Sequence, residues 1–276
     1  MTDRLLDFSE SPASLNTENG LLVIRLPDRP VQTVPLADIG ALVASHRQVV
    51  FTQNLVAALA KAGAPLICCD ERHHPAAMLL PLEGHSTQAE RFQAQASAAL
   101  PVKKRLWKEI VALKIQMQGS ALRRLHGEDG GILPLARKVR SGDPDNLEAV
   151  AAQRYWSRIM GDPEFRRGKE EDPRNWMLNY GYAIVRATVA RALCAGGLHP
   201  SLGVNHRNRY NAFCLADDLM EPMRPLVDHR VVLLCRELPR QDWEVNKQTK
   251  AALLAALTAR YTTGGEQHTL FNITKH

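Results

Sequence analysis

Two hydrophobic periods follow one another along this chain, and their order limits the folds that it can adopt. Residues 1–85 carry short apolar or alternating runs, separated by Pro and Asn-Gly turn signals. From about residue 99 onward, apolar residues recur at intervals of three and four, with Lys and Arg between them. The pattern predicts an α+β chain, with a small β-rich N-terminal domain over residues 1–85 and a larger all-α C-terminal domain over residues 101–276. The polar, Ala/Gln-rich stretch 86–100 is predicted to be the linker between them.

Turn and cap signals predict individual elements. Asn19-Gly20 lies between two β-like runs and predicts a tight hairpin. Residues 52–63 predict one helix in the β-rich part, because they begin at a Thr and end at a Gly. Residues 103–125 predict an amphipathic helix, and the expected buried face consists of Leu106, Ile110, Leu113 and Met117.

Positive charge is concentrated in the second part of the chain. Residues 1–85 contain 6 Lys and Arg against 9 Asp and Glu, whereas residues 86–276 contain 29 against 20. This asymmetry indicates either that the second part binds a polyanion such as nucleic acid or that it has a basic, solvated surface. Charge alone leaves both readings open.

The cysteine count and the hydropathy predict a compartment. Five cysteines are present, the first ten residues lack the basic and apolar regions of a signal peptide, and no run of eighteen apolar residues occurs. We therefore expect reduced thiols, a cytoplasmic location and no membrane segment.

Three short segments carry the residue types that chemistry on phosphates needs. Glu148 begins an Ala-rich helix, His206 ends the segment GLHPSLGVNH, and Asp218 and Glu221 are three residues apart on the next predicted helix. An imidazole and carboxylates that converge can hold a divalent cation. The spacing also fits a surface histidine, a carboxylate paired with Arg224 and an acidic residue favoured by a helix N-terminus.

The same segments resemble the three signature blocks of the Cas1 integrases, the spacer-integrating enzymes of CRISPR systems. The blocks are E-A-x-A-A-x-x-Y-W, G-L-x-P-x-L-G-x-x-H and N-x-F-x-L-A-D-D-L-x-E-P-x-R-P, within residues 146–225. They stand in the family's order, on a helical half preceded by a β-rich half. The match is closest to the branch that accompanies type II systems.

The resemblance implies a reaction, a metal and a set of catalytic residues. Glu148, His206 and Glu221 match the family's metal-binding positions, with Mg²⁺ or Mn²⁺ as the cofactor. Asp218 matches a second acid of the site, although Asp217 beside it leaves open which of the two assists. The implied enzyme is a metal-dependent DNA endonuclease and integrase, which inserts spacer DNA into a repeat array by attack of a 3′-hydroxyl on a phosphodiester.

The resemblance also implies partners. These are double-stranded DNA, a second copy of the chain that pairs through the β-rich domain, the small protein Cas2 in a heterohexamer, and in type II systems the effector nuclease. We predict DNA contacts from basic residues, with Arg207 and Arg209 foremost because they neighbour His206. The full predicted set is Lys103, Lys104, Arg166, Arg167, Arg207, Arg209 and Arg224.

Other readings of the chain remain open from its sequence. Tyr155 and Trp156 fit either a stacking surface for a base or the helix core, and we favour the core for Trp156. The chain also fits a non-catalytic DNA-binding assembly protein, or a nuclease of branched or single-stranded DNA without integration. Neither a G-x-S-x-G elbow nor a Walker loop is present, which argues against a hydrolase triad and against nucleotide hydrolysis.

Overall fold

A computed structural model describes residues 4–71, 75–81, 85–169, 171–258, 260–263 and 266–269. The strands are β1 (Arg4–Phe8), β2 (Ala13–Glu18), β3 (Leu21–Arg25), β4 (Gln32–Pro35), β5 (Ile39–Ala44), β6 (Val49–Phe51), β7 (Leu66–Cys69), β8 (Pro75–Leu79), β9 (Arg260–Thr263) and β10 (Glu266–Thr269). The helices are α1 (Gln53–Ala62), α2 (Gln88–Ala96), α3 (Leu100–His126), α4 (Leu133–Ala136), α5 (Leu147–Ile159), α6 (Pro173–Ala195), α7 (Cys214–Met220), α8 (Arg224–Glu237) and α9 (Lys247–Thr258). The predicted fold class, a β-rich N-terminal part followed by a mainly helical part, is confirmed.

The chain divides into two compact units. The first consists of residues 1–91, 187–198 and 257–276, and the second of residues 92–186 and 199–256. The boundaries between the units fall after residues 91, 186, 198 and 256, whereas the prediction placed a single boundary in the linker 86–100.

Two four-stranded sheets build the first unit. One has the strand order β1-β5-β7-β8 and the other β4-β3-β2-β6. Their apolar faces and α1 share one core, which includes Leu15, Leu22, Leu42, Leu55 and Leu59. The predicted hairpin is confirmed, because Glu18 pairs with Leu21 and both Asn19 and Gly20 have positive φ.

Helices surround the core of the second unit. The side chains of α3 that enter this core include Trp107, Val111, Ile115 and Leu122. The predicted face was therefore wrong for two residues: Ile110 is buried, but Leu106 is 50% and Leu113 is 48% exposed. The helix has two apolar stripes, and the one that contains the large Trp107 ring packs against α5 and α8, since it offers more apolar area.

Two further elements differ from the predicted organisation. The predicted linker 86–100 contains the helix α2, and the predicted all-α part contains the antiparallel pair β9 and β10. Residues 270–276, which belong to that predicted part, lie outside the described residues. Over the described part of the chain, no helix combines the length and the hydropathy needed to cross a bilayer.

Candidate active site

Glu148 lies in the first turn of α5, where a buried aspartate holds the helix start. The carboxylate of Asp143 accepts hydrogen bonds from the backbone N–H groups of Leu147 and Glu148, both at 2.9 Å. Asn146 precedes the helix with a φ of 51°, so the chain turns sharply into it. Asp143 thus caps the start of α5, and it fixes the backbone that carries Glu148.

Glu221 occupies a single turn of 3₁₀ helix, Glu221–Met223, between α7 and α8. Pro222 lacks the N–H that would continue α7, which explains the break. One carboxylate oxygen of Glu221, Oε1, accepts a hydrogen bond from Arg224 Nη1 at 2.7 Å. Burial raises the pKa of Glu221, but the positive charges of Arg224 and Lys114 outweigh burial and hold this pKa below its ordinary value.

Lys114 of α3 joins the two predicted metal-binding carboxylates. Its ammonium donates a hydrogen bond to Glu148 Oε1 at 2.7 Å and forms an ion pair with Glu221 Oε2 at 2.6 Å. As they stand, no three His, Cys, Asp or Glu side chains of the described residues lie close enough together to hold a metal ion. The structure therefore brings Glu148 and Glu221 to one cation, an ammonium, and the assignment of a metal to Glu148, His206 and Glu221 stays a prediction.

Asp218 organises the loop that carries His206. This fully buried carboxylate accepts hydrogen bonds from the backbone N–H groups of Val204, Asn205 and His206, and it lies 2.6 Å from His206 Nδ1. A carboxylate only accepts, so Nδ1 donates and His206 Nε2 is left for another ligand. Gly203 is needed here, because a Cβ would collide with the carbonyl oxygen of His206.

The charges around His206 favour its protonated form. The hydrogen bond from Nδ1 to Asp218 raises the pKa of His206, burial opposes this, and the carboxylates of Glu221 and Asp217 raise it further. The ring of Trp107 meets the His206 ring edge to face at 5.9 Å between centroids. The imidazole is thus held on two sides in one orientation.

Asp217 and Asp218 have separate partners, as their angular separation on a helix predicts. Asp217 binds Arg186 at 2.7 Å and accepts a hydrogen bond from Asn211 at 2.6 Å. Asp218, and not Asp217, contacts His206, whereas the assignment of either acid to a metal stays a prediction.

A buried polar layer supports Arg224 beneath the site. The guanidinium of Arg224 lies 4.2 Å from the centroid of the Tyr182 ring. The Tyr182 hydroxyl donates a hydrogen bond to Asp228, and Tyr155 donates another at 2.8 Å. Burial raises the pKa of Asp228 to about 6, although the two tyrosine hydrogen bonds lower it. Tyr155 is fully buried, so the interpretation of it as a stacking surface for a base is wrong. Trp156 packs against the helical core, as predicted.

Removing the Tyr155 hydroxyl is expected to destabilise the protein in a pH-dependent way. Asp228 has a folded-state pKa above its unfolded value, so its contribution to stability falls as the pH rises from about 4 to about 6. Tyr155→Phe removes one donor to the ionised carboxylate, which is expected to cost about 1–3 kcal/mol at pH 8 and less at pH 5. Urea unfolding at both pH values measures this difference. Tyr210→Phe, at an exposed ring, is the control, and an equal loss at both pH values for Tyr155→Phe would contradict the expectation.

Four of the seven predicted DNA contacts lie beside His206. Lys103, Lys104 and Arg207 line a surface cavity of about 150 Å³ whose other walls include Trp107. Arg209 is exposed and stacks on the ring of Tyr210, which is 80% exposed. These cations and this ring are accessible to a nucleic acid.

The other three predicted contacts already have partners within the protein. Arg166 donates to the backbone oxygens of Pro163 and Phe165, and Arg167 donates to the side chains of Asn175 and Asn179. Arg224 is held by Glu221 and Tyr182, as described above. All three arginines hold neighbouring parts of the protein together through these contacts, and their assignment to DNA stays a prediction.

Sequence reasoning missed residues that position the site. Lys114 is one of the lysines and arginines that lie between the apolar residues of the helical pattern, and only the structure shows it turned toward Glu148 and Glu221. Gln95, in the predicted linker, donates to the carbonyl oxygens of His199 and Leu202 and accepts from the His199 N–H. This side chain therefore anchors the segment that leads to His206.

Comparison with known proteins identifies related sequences. The family model described as CRISPR associated protein Cas1 matches residues 8–263. A CRISPR-associated endonuclease Cas1 from Neisseria meningitidis serogroup C (strain 8013) is 40% identical over 204 residues, which are 73% of this chain and 66% of that protein.

Solved structures share the fold at low sequence identity. A casposase bound to integration product superposes with a TM-score of 0.77 at 18% identity, and the match covers 99% of this chain and 88% of the casposase. A chain of a Cas6-RT-Cas1–Cas2 complex superposes with a TM-score of 0.74 at 15% identity, over 99% of this chain and 34% of that one. At these identities the similarity shows a common fold.

Proposed function

Because the chain belongs to the Cas1 family of CRISPR-associated endonucleases and integrases, we propose that it is a metal-dependent enzyme that inserts short DNA duplexes into a repeat array. One observation carries the proposal. Glu148 from α5 and Glu221 from the turn after α7 meet at a single cation, on the helical unit that also holds His206. These are the three residues that the family motifs single out.

The donor set fits a divalent ion. Two carboxylates and one imidazole suit Mn²⁺ and tolerate Mg²⁺, and the imidazole would bind the ion after losing the proton that the neighbouring carboxylates favour. The orientation of His206 supports this reading, since its Nδ1 is bonded to Asp218 and its Nε2 is left for a ligand. When bound, such an ion would neutralise the negative charge that gathers on the phosphate oxygens in the transition state.

The reaction we propose is an exchange of one phosphodiester bond for another. The 3′-oxygen of the incoming duplex forms a bond to phosphorus as the bond from phosphorus to the 3′-oxygen of the repeat end breaks. The proton of the attacking hydroxyl is lost to solvent, and the leaving oxygen takes one up. No covalent bond to the protein forms, so the side chains bind and orient the reactants. Water in place of the hydroxyl gives hydrolysis, which is the endonuclease activity.

The surface beside His206 is suited to hold the DNA. Lys103, Lys104 and Arg207 offer positive charge to phosphates around one cavity. The exposed Tyr210 ring offers a stacking surface for a base next to Arg209. Binding through these groups is expected to be sequence-tolerant and sensitive to salt.

Partners and location follow from the same proposal. We propose a homodimer that joins Cas2 in a heterohexamer, in a type II system with its effector nuclease nearby. The fold shared with a chain of a Cas1–Cas2 complex supports the Cas2 assignment. A cytoplasmic location fits the five free thiols of the described residues.

One observation favours a second candidate, a DNA-binding assembly protein without catalysis. In that case the pairing of Lys114 with Glu148 and Glu221 would be a purely structural ion-pair cluster. A nuclease of branched DNA without integration is the third reading. Formation of a joined product separates the first proposal from both others.

Strand joining is the experiment that tests the proposal. The chain is mixed with Cas2, a short duplex and a supercoiled plasmid that bears the repeat, with Mn²⁺ or Mg²⁺. We expect joined and relaxed plasmid, and loss of joining by at least about 10³-fold on adding EDTA, restored by excess Mn²⁺. A gel-shift control checks that DNA still binds in EDTA. Joining that persists in EDTA would contradict the metal, and cleavage without joining would favour the nuclease.

A further inference from the structure

Each carboxylate oxygen of Glu221 lies within ion-pair distance of a cationic side chain of the protein. Oε1 accepts a hydrogen bond from Arg224, and Oε2 lies 2.6 Å from the ammonium of Lys114. Lys114 also holds Glu148 Oε1 at 2.7 Å. The side chains of Lys114 and Glu221 are 13% and 7% exposed, so these contacts are poorly screened by solvent. A metal ion that uses Glu148 and Glu221 therefore competes with a cation of the protein.

The two cations differ in how firmly they are held. Arg224 lies over the Tyr182 ring, whose hydroxyl donates a hydrogen bond to the buried Asp228. Lys114 is a point charge on a flexible stem of four methylenes, and among the described residues its charged partners are Glu148 and Glu221. Lys114 is therefore the cation that a metal ion can displace from the two carboxylates.

A position to which Lys114 can move exists beside it. Lys114 lines a cavity of about 60 Å³ together with Gln118, Tyr182 and Asp228. Gln118 lies one helical turn further along α3, and its buried Oε1 has no hydrogen-bond partner among the described residues. An unpaired buried acceptor is costly, and an ammonium that turned toward it would satisfy it.

We propose that Lys114 is a built-in counter-ion that holds Glu148 and Glu221 together and yields its place to a divalent ion by turning toward Gln118. The inference rests on the metal site proposed above. The lysine keeps two neighbouring carboxylates from repelling each other and so keeps them in position before an ion arrives. The displacement lowers the apparent affinity for the ion, because every binding event first breaks two contacts of the ammonium.

Titration of Mn²⁺ without DNA tests the proposal. The full-length protein is titrated while the free Mn²⁺ is followed by electron paramagnetic resonance. Lys114→Met removes the charge and keeps the length of the side chain, and we expect the Kd for Mn²⁺ to fall about tenfold or more. Without divalent ions the same variant is expected to unfold at a lower temperature, and Mn²⁺ should raise its Tm more than that of the wild type. Lys108→Met, which removes an exposed lysine of the same helix, is the control and should change neither value.

A second variant gives an effect of the opposite sign. Gln118→Leu removes the acceptor to which the ammonium would turn, and we expect it to weaken Mn²⁺ binding several-fold. In the Lys114→Met background the same change is expected to have no effect, since no ammonium then has to move.

The outcomes separate this inference from the proposed function. An unchanged or weaker Mn²⁺ affinity in Lys114→Met would overturn the inference, as would the absence of Mn²⁺ binding in the wild type. If Lys114→Met does not fold, the Gln118→Leu titration still decides, and an unchanged Kd there overturns the inference. If the Mn²⁺ titrations give the expected results but no strands are joined, the integrase proposal is contradicted and the proposed role of Lys114 is supported.

Discussion

Glu221→Gln is expected to abolish strand joining, with a fall in rate on the order of 10³-fold or more. The substitution keeps the volume of the side chain and removes one negative charge from a nearly buried position. That charge lies between the ammonium of Lys114 and the guanidinium of Arg224, where little solvent screens it. A neutral amide there can neither attract a divalent ion nor hold both cations.

The measurement is single-turnover joining of a labelled duplex to the repeat plasmid, with DNA affinity measured in parallel. We expect the Kd for DNA to change by no more than a few-fold, because Glu221 is too deeply buried to contact the duplex backbone directly. Glu237→Gln is the matched control, since Glu237 forms an exposed ion pair with Arg230. Joining by Glu221→Gln at more than a tenth of the wild-type rate would remove Glu221 from the site.

Asp218→Asn is expected to damage both stability and joining. The carboxylate of Asp218 accepts from three backbone N–H groups and from His206 Nδ1, and an amide in its place offers one acceptor oxygen instead of two. We expect a loss of about 3 kcal/mol in the free energy of unfolding, because buried donors lose their partners. Joining should fall by a further 10- to 100-fold, roughly, since His206 loses its orientation.

The neighbouring acid provides the control for this prediction. Asp217→Asn breaks the ion pair with Arg186 but leaves the Asp218 contacts in place. We expect it to cost about 1 kcal/mol or less and to change joining only a few-fold. Imidazole ¹⁵N shifts separate the two roles, since only Asp218→Asn should alter the tautomer balance of His206. Equal effects of the two variants would show that Asp218 does not act through His206.

Local sequence alone determined the β-to-α order of the chain, the hairpin and the residue types of the site. Asn19-Gly20 specifies its turn because few residues other than Gly and Asn adopt positive φ without strain. Pro222 ends α7, because a proline cannot donate the next helical hydrogen bond. The different directions of Asp217 and Asp218 followed from the rotation of about 100° per residue in a helix.

Only the tertiary structure decided which faces and which partners those elements have. The α3 sequence offers two apolar stripes, and packing against α5 and α8 selected the stripe of Trp107 and Val111 over that of Leu106 and Leu113. That choice of face brings Lys114 to Glu148 and Glu221, which lie 34 and 107 residues further along the chain. Periodicity reports the neighbours of a residue within one element, whereas an ion pair between elements depends on how they pack. The sequence contains every residue of the site, but it does not indicate that Lys114 joins the two carboxylates.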